Sequence, residues 1–153
     1  MKYLPVGLDV RGRICIVVGG GQIGTRKTNN LLRAGAAVTV ISPEASTEVA
    51  ELAETGRIRW ISRGYQEGDS ADAFLTVAAT SRDDLNGQVV RDAAENGSLV
   101  CDASSQTRSE VIFGALHAEE GVTVAVFTDG RDPGLARRTR DRIADLNRQW
   151  RGS

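Results

Sequence analysis

Of 153 residues, one is histidine, one methionine, two are cysteine, three proline and seven aromatic. The chain also lacks an excess of charge: 19 Lys and Arg stand against 20 Asp and Glu, a net charge of −1, so as a whole it is no basic nucleic-acid binder. No apolar run approaches the roughly 18 residues of a membrane span. The opening "MKYLPVGLDVRGR" has no signal-peptide apolar core, so neither membrane nor export is expected. Cys15 and Cys101 both fall in apolar, strand-like runs and read as buried thiols of a cytoplasmic protein, not as a disulfide. His117, the lone histidine, fits a surface role as well as an acid–base one, and no metal site is expected.

What charge there is lies unevenly. From Arg131 to Ser153 seven Arg oppose three Asp, which leaves the rest acidic. A basic tail on an acidic body points to a local anion site or contact surface.

Strand-like and helix-like stretches alternate along the first two thirds. "RICIVV" (13–18), "AVTVI" (37–41), "IRWI" (58–61), "AFLTVAA" (73–79) and "SLVCDA" (98–103) are rich in β-branched residues. Between them the pattern predicts helices from Gln22 to Ala34, from Ser42 or Pro43 to a stop at Gly56, and over 81–97. Such alternation makes βαβ units and a parallel sheet with right-handed crossovers. The unbroken apolar character of strands one, two and four fits burial on both faces. The fold class expected is therefore α/β, a Rossmann-like parallel sheet with helices on both faces.

The residues that carry chemistry begin where strand one stops. Gly19, Gly21 and Gly24 form G-x-G-x-x-G at the mouth of a helix. In that setting the first glycine permits a tight turn, the second lets a pyrophosphate reach the backbone, and the third lets helix and strand pack closely. The helix N-terminus, at Gln22 and Ile23, offers free N–H groups and the positive dipole end. A glycine-rich turn without a ligand is the plainer alternative. The acid usual at the end of strand two is missing: Ser42 stands there, followed by Pro43 and Glu44, and no Arg follows to hold a 2′-phosphate. NAD is expected over NADP. Thr80 closes "AAT" (78–80) on the carboxyl edge of the sheet, where a nicotinamide ribose would lie.

The opening stretch from "YLPVGLDVRGR" through "GGGQIGTRK" to "ISPE" resembles the precorrin-2 dehydrogenases, the NAD-dependent family of siroheme synthesis that includes the N-terminal half of siroheme synthases. The likeness runs on through "GRIRWISRGY", "AFLTVAAT" with an Asn-containing helix after it, "VIFGAL" and "VTVAVFTDGRDPGLARRTRDRI". It implies a Rossmann domain (1–112), a dimerisation segment (113–153), and NAD-dependent conversion of precorrin-2 to sirohydrochlorin. Some members carry a further helical domain associated with chelatase activity, and this sequence ends at Ser153 before it. A substrate rimmed with carboxylates needs cations, and Arg108, Arg131, Arg137, Arg138 and Arg140 are candidates. They serve equally well as solvated helix residues or as ion pairs across a dimer. The family's Ser-Gly-Gly loop reads Thr128-Asp129-Gly130 here, and Thr128 is a further substrate-side candidate.

The family's "NVVD" motif after strand five is matched with Cys101-Asp102-Ala103-Ser104, which puts Ser104 in the place of the acid. Ser104 and Asp102, about 7 Å apart on one face of an extended strand, become the catalytic pair. Against an enzyme stands a non-catalytic, dinucleotide-binding relative acting as sensor or partner.

Past the sheet, "GVTVAVFT" (121–128) reads as a strand, and Leu135, Thr139, Ile143, Leu146 and Trp150 mark one stripe of a helix. A strand and an amphipathic helix outside the main sheet leave a face uncovered. A second copy of the chain, giving a homodimer, is the expected cover.

Overall fold

A computed structural model of the chain describes residues 2–129 and 131–151. It divides into two compact units, Leu8–Val111 and the pair of segments Met1–Gly7 and Ile112–Ser153. The N-terminal seven residues thus group with the C-terminal segment, not with the sheet that follows them. One link is the Lys2 N–H, 3.4 Å from Asp129 Oδ1.

The first unit is a five-stranded parallel sheet in the order β3-β2-β1-β4-β5. Its strands are β1 (Ile14–Gly20), β2 (Ala37–Ala45), β3 (Arg59–Ile61), β4 (Leu75–Ala78) and β5 (Leu99–Asp102). The helices are α1 (Gln22–Arg33), α2 (Thr47–Glu54) and α3 (Asp83–Glu95). Right-handed crossovers carry the chain from β1 out to β3 in one direction and from β4 to β5 in the other, so α1 and α2 lie on one face and α3 on the opposite one. Side chains alternate accordingly. Ile16, Val18, Ile41, Ala78 and Val100 pack with Val89, Val90 and Ala93 of α3. Cys15, Val17, Val40 and Val77, all fully buried, point the other way. Truncating one large member, such as Leu75→Ala, removes about 2–5 kcal/mol.

Each helix stops in the same manner. After α1, Gly35 takes a left-handed conformation (φ 82°) that other residues avoid. Its N–H reaches the Leu32 carbonyl, and the Ala36 N–H reaches Leu31. Gly56 and Gly97 close α2 and α3 with the same pair of bonds.

One expectation needs correction. The second helix begins at Thr47, not at Ser42 or Pro43, because β2 runs on to Ala45. A bulge after Val18 lets Gly20 pair with Ala45. Ser46 then caps α2, its Oγ accepting the Val49 N–H at 3.2 Å. Pro43 is tolerated in this stretch because β3 pairs β2 only from Thr39 to Ile41. The connection from β3 to β4 contains no helix. A cavity of about 480 Å³, lined in part by Ile14, Ile16, Ile41, Ile58 and Ile61, lies against this sheet face.

The second unit is an antiparallel hairpin of β6 (Ala115–Glu119) and β7 (Val122–Val126) with α4 (Pro133–Arg151) packed on both strands. β6 is a strand the sequence pattern did not mark. The hairpin turns on Glu120 (φ 48°) and Gly121 (φ 80°), the pair of left-handed residues that a two-residue turn requires. α4 buries Ala136 and Ala144, two turns apart, while Leu135, Ile143 and Leu146 remain 47%, 38% and 47% exposed. The fifth member of that stripe, the Trp150 side chain, lies outside the described residues.

Candidate functional site

The glycine turn separates into two kinds of position. Gly19 (φ 116°) lies against β4, and a Cβ there would come 2.5 Å from the Ala79 carbonyl oxygen. A Cβ on Gly24 would fall 1.9 Å from the Gly19 carbonyl oxygen, so α1 seats on the turn only without a side chain. Gly20, which the motif leaves unspecified, is as tightly held, with a Cβ 2.5 Å from the Glu44 carbonyl oxygen. Gly21 is different: a Cβ there meets nothing within 4 Å. It is exposed, it caps α1 without a side chain, and the first turn of α1 holds no acid. The first N–H groups and the positive helix end therefore face open space beside Gln22 and Ile23, a fit for the pyrophosphate of a dinucleotide. The Thr25 hydroxyl, 2.8 Å from Ser46 Oγ and 2.9 Å from the Gly21 carbonyl, ties the turn to α2.

At the end of β2, Ser42 is nearly buried and its carbonyl accepts the Trp60 indole N–H at 3.0 Å. Pro43 and Glu44 are exposed. Because β2 extends to Ala45, Glu44 lies in the last residues of the strand.

The carboxyl ends of β4 and β5 are joined by one hydrogen-bonded network. Asn86 of α3 is fully buried. Its Oδ1 accepts the Thr80 N–H at 3.0 Å and the Thr80 hydroxyl at 2.7 Å. Its Nδ2 donates to the Thr80 carbonyl and to Ser104 Oγ, each at 3.1 Å. Ser104 in turn donates its hydroxyl to Asp102 Oδ1 at 2.6 Å. Thr80 and Ser104, both expected at the site, are thus brought together by a residue that the sequence reading left without a role. The only signal for it was the Asn in the helix after "AAT".

Asp102 ends β5, and its side chain is wholly enclosed. Oδ1 also accepts the N–H groups of Ser104 (2.8 Å) and Ser105 (3.2 Å), and Oδ2 accepts Arg108 Nε at 2.6 Å. The expected spacing of Asp102 and Ser104 on an extended strand does not hold, since the chain turns at Asp102 and folds Ser104 back onto it. The carboxylate that closes β5 is Asp102 itself. Arg108 is bound on its outer side as well, with Nη1 3.2 Å from Asp83 Oδ2 and Nη2 on Asp83 Oδ1. The Arg108 guanidinium, then the Ser104 hydroxyl, hold the Asp83 carboxyl below the usual carboxylate range. Arg108 is an ion-paired residue, not an open cation.

In the second unit, the Thr128 hydroxyl donates to the Asp132 carbonyl (2.9 Å), and Asp132 Oδ1 caps α4 through the Leu135 N–H (2.7 Å). Arg131, Arg137 and Arg138 are exposed and make no ion pair among the described residues. Gly130 lies outside the described residues. Arg140 pairs with Asp141 and donates to the Leu116 carbonyl, and His117 sits 3.2 Å from Glu119.

Strand order, glycine turn and an open helix N-terminus at the carboxyl edge of a parallel sheet define a Rossmann-type dinucleotide-binding protein. A family model described as "Putative NAD(P)-binding" matches residues 6–115. The solved structure of SirC, precorrin-2 dehydrogenase, is 33% identical, superposes with a TM-score of 0.82, and covers 94% of this chain and 71% of its own. Siroheme synthase of Photorhabdus laumondii is 34% identical over 146 residues, 95% of this chain and 31% of that protein. Siroheme synthase of Methylococcus capsulatus is 40% identical over 143 residues, 94% of this chain and 30% of that protein. The chain belongs to this NAD(P)-binding family, with SirC and the siroheme synthases as relatives. It spans about a third of the length of the siroheme synthases it matches.

Proposed function

We propose that this protein oxidises precorrin-2 to sirohydrochlorin with NAD. The observation that carries the reading is the likeness to SirC, a precorrin-2 dehydrogenase, over nearly the whole chain. When bound, NAD supplies the hydride acceptor. Gly21, Gln22 and Ile23 offer the backbone that meets its pyrophosphate, with Gly19 and Gly24 shaping the turn. Ser42, Pro43 and Glu44 border its ribose. An exposed carboxylate at that strand end favours free ribose hydroxyls and repels a 2′-phosphate, which supports NAD over NADP. Thr80, fixed by Asn86, borders the nicotinamide end.

Asp102 and Ser104 form the proton side of the site. Asp102 is enclosed, and Ser104, exposed and bonded to it, is the end a substrate can reach. The macrocycle gives its proton to Ser104 Oγ as that hydroxyl passes its own to Asp102. Arg108 on the other oxygen holds the carboxylate in place to receive that proton. Arg131, Arg137 and Arg138, with the Thr128 loop, supply cations for substrate carboxylates. A second copy covers Leu135, Ile143 and Leu146, making a homodimer. Two free, buried cysteines support a cytoplasmic setting, and among the described residues no helix is long and apolar enough to cross a membrane.

Anaerobic mixing of protein, NAD and precorrin-2 tests the reading through the absorbance of sirohydrochlorin. Asp102→Asn lowers turnover by roughly 10²–10⁴ with NAD affinity retained. A folded, NAD-binding wild type that forms no sirohydrochlorin overturns it.

A further inference from the structure

We infer that the outer edge of Arg108, with Arg91 beside it, is a binding site for one carboxylate of the substrate, and that Asp83 is its resident, displaceable occupant. The ligand's identity rests on the dehydrogenase reading, while the site itself rests on three features of the first unit.

The guanidinium is fixed from inside. Nε is held by Asp102, whose side chain is wholly enclosed and whose other oxygen takes two backbone N–H groups and the Ser104 hydroxyl. A cation anchored in this way keeps its orientation when its outer partner leaves. The outer partner is loosely kept: both oxygens of Asp83 face Nη1 and Nη2, the two-point grip that guanidinium gives any carboxylate, yet the Asp83 side chain is 70% exposed. An exposed pair of this kind is weak and exchangeable. Finally, two cations converge over Gly87, one turn along α3 from Asp83: a Cβ on this buried glycine would touch Arg91 Nη1 at 3.5 Å and the Arg108 guanidinium at 3.9–4.0 Å. Arg91 is exposed and makes no ion pair among the described residues, so with Asp83 displaced the two guanidinium groups face one anion. Asp83 thus stands where a substrate carboxylate would stand, one residue of chain away from the Asp84–Arg82 pair and bonded through Ser104 to the acid of the site.

The exchange has a direct consequence for specificity. A ligand without a carboxylate at this point gains nothing by displacing Asp83, whereas a polycarboxylate replaces one ion pair with another and adds Arg91. The site would therefore select acidic macrocycles over neutral ones of the same shape.

The test titrates uroporphyrin, a polycarboxylate porphyrin that is not turned over, into the full chain, read by quenching of its fluorescence. Asp83→Asn is expected to tighten binding about two- to fivefold, the range by which an exposed pair competes. Arg91→Gln is expected to weaken it. On an Arg108→Lys background, which keeps the charge on Asp102 but loses the fork, Asp83→Asn is expected to add nothing. In parallel, Asp83→Asn should lower KM for precorrin-2 by the same factor. Unchanged or weaker binding by the Asp83→Asn protein overturns the inference, as does an equal gain on the Arg108→Lys background or no binding by the wild type. Arg91→Gln, on the exposed face of α3, keeps the test open if Arg108→Lys fails to fold. Absence of sirohydrochlorin in the wild-type assay counts against the dehydrogenase reading alone, because the porphyrin titration does not depend on turnover.

Discussion

The two units solve the problem of burying an apolar face in opposite ways. In Leu8–Val111 the sheet is covered by its own helices, and Val17, Val40, Val49, Val77 and Val89 are wholly buried. In 112–153 the helix turns its alanines inward, Ala136 and Ala144, and leaves Leu135, Ile143 and Leu146 in solvent. A helix ordinarily hides its leucines and shows its small residues. The reversal has a packing reason: alanine lets α4 lie close on a two-stranded hairpin, which has too little surface to cover larger side chains. The first unit covers its own sheet, and the second leaves an apolar stripe of its helix exposed.

The sharpest way to break the first unit is at Gly24. With a Cβ 1.9 Å from the Gly19 carbonyl oxygen, Gly24→Ala forces α1 off the turn or the turn off β4. A loss of about 3 kcal/mol or more is expected, a large share of a typical domain's 5–15 kcal/mol. Urea denaturation followed by circular dichroism measures it. Gly21→Asp is the contrasting case. Its Cβ meets nothing, its backbone is extended (φ −78°, ψ −171°), and aspartate is a good helix cap, so stability should hold or rise by a few tenths of a kcal/mol. Its carboxylate would nonetheless stand against the pyrophosphate. Calorimetric titration should show NAD affinity down at least about tenfold, since loss of one charge-assisted bond already amounts to roughly 1.5 kcal/mol or more. Normal NAD binding by a folded Gly21→Asp protein would show that the open face of the turn is not the cofactor's.

The second unit is tested by its uncovered stripe. Leu146→Glu, at a position 47% exposed, should cost a lone chain no more than about 0.5 kcal/mol. In a pair joined through that stripe, it buries a charge and splits the assembly. Light scattering should fall from about twice the chain mass to the chain mass, with NAD affinity unchanged. A wild type that is already a monomer at micromolar concentration refutes the pairing.

The difference between the units also explains what the sequence disclosed. Parallel strands buried on both faces are written as unbroken β-branched runs, and "CIVV" and "LTVA" could be read directly. Glycines forced by close backbone approach were equally plain. Hidden were the features set by contacts distant in sequence. β2 runs past Pro43 because Gly20 finds Ala45 across a bulge. β6, "ALHAE", carries only half-buried residues on its covered side and so shows little alternation. At the site, glycine turn, strand ends, Thr80 and the pair of Asp102 with Ser104 were legible, but the turn that folds Ser104 back onto Asp102 was not. A residue that closes a strand and gathers a turn around itself has the same neighbours in sequence as one that continues the strand. Asn86 was legible only as an asparagine in a helix. What it joins, Thr80 and Ser104, lies 6 residues before it and 18 after it.

The smallest expected effects come from one ion pair in each unit, and they separate self-sufficient packing from exposed packing. Asp69 is held below the usual carboxylate range chiefly by the hydrogen bond from Arg63, a pair whose side chains are 13% and 36% exposed. Glu119 is lowered chiefly by Arg148 and then by His117, and its pair with Arg148 is 38% and 55% exposed. Both carboxyls are more acidic folded than unfolded, so each contributes stability above its unfolded pKa, about 3.9 for Asp and 4.3 for Glu, and loses it as pH falls through the lower folded value. At pH 7 both contributions are complete. The better-shielded Asp69–Arg63 pair should resist salt, whereas the exposed pair on the hairpin should fade as the Debye length shortens to about 3 Å at 1 M. Asp69→Asn should therefore lower the urea midpoint at pH 7 in both low and high salt. Glu119→Gln should speed amide exchange in β6 and β7 only in low salt and only above about pH 4. If Glu119→Gln proved as costly as Asp69→Asn in high salt, the hairpin would be as well shielded as the sheet, and the contrast between the two units would not extend to their charges.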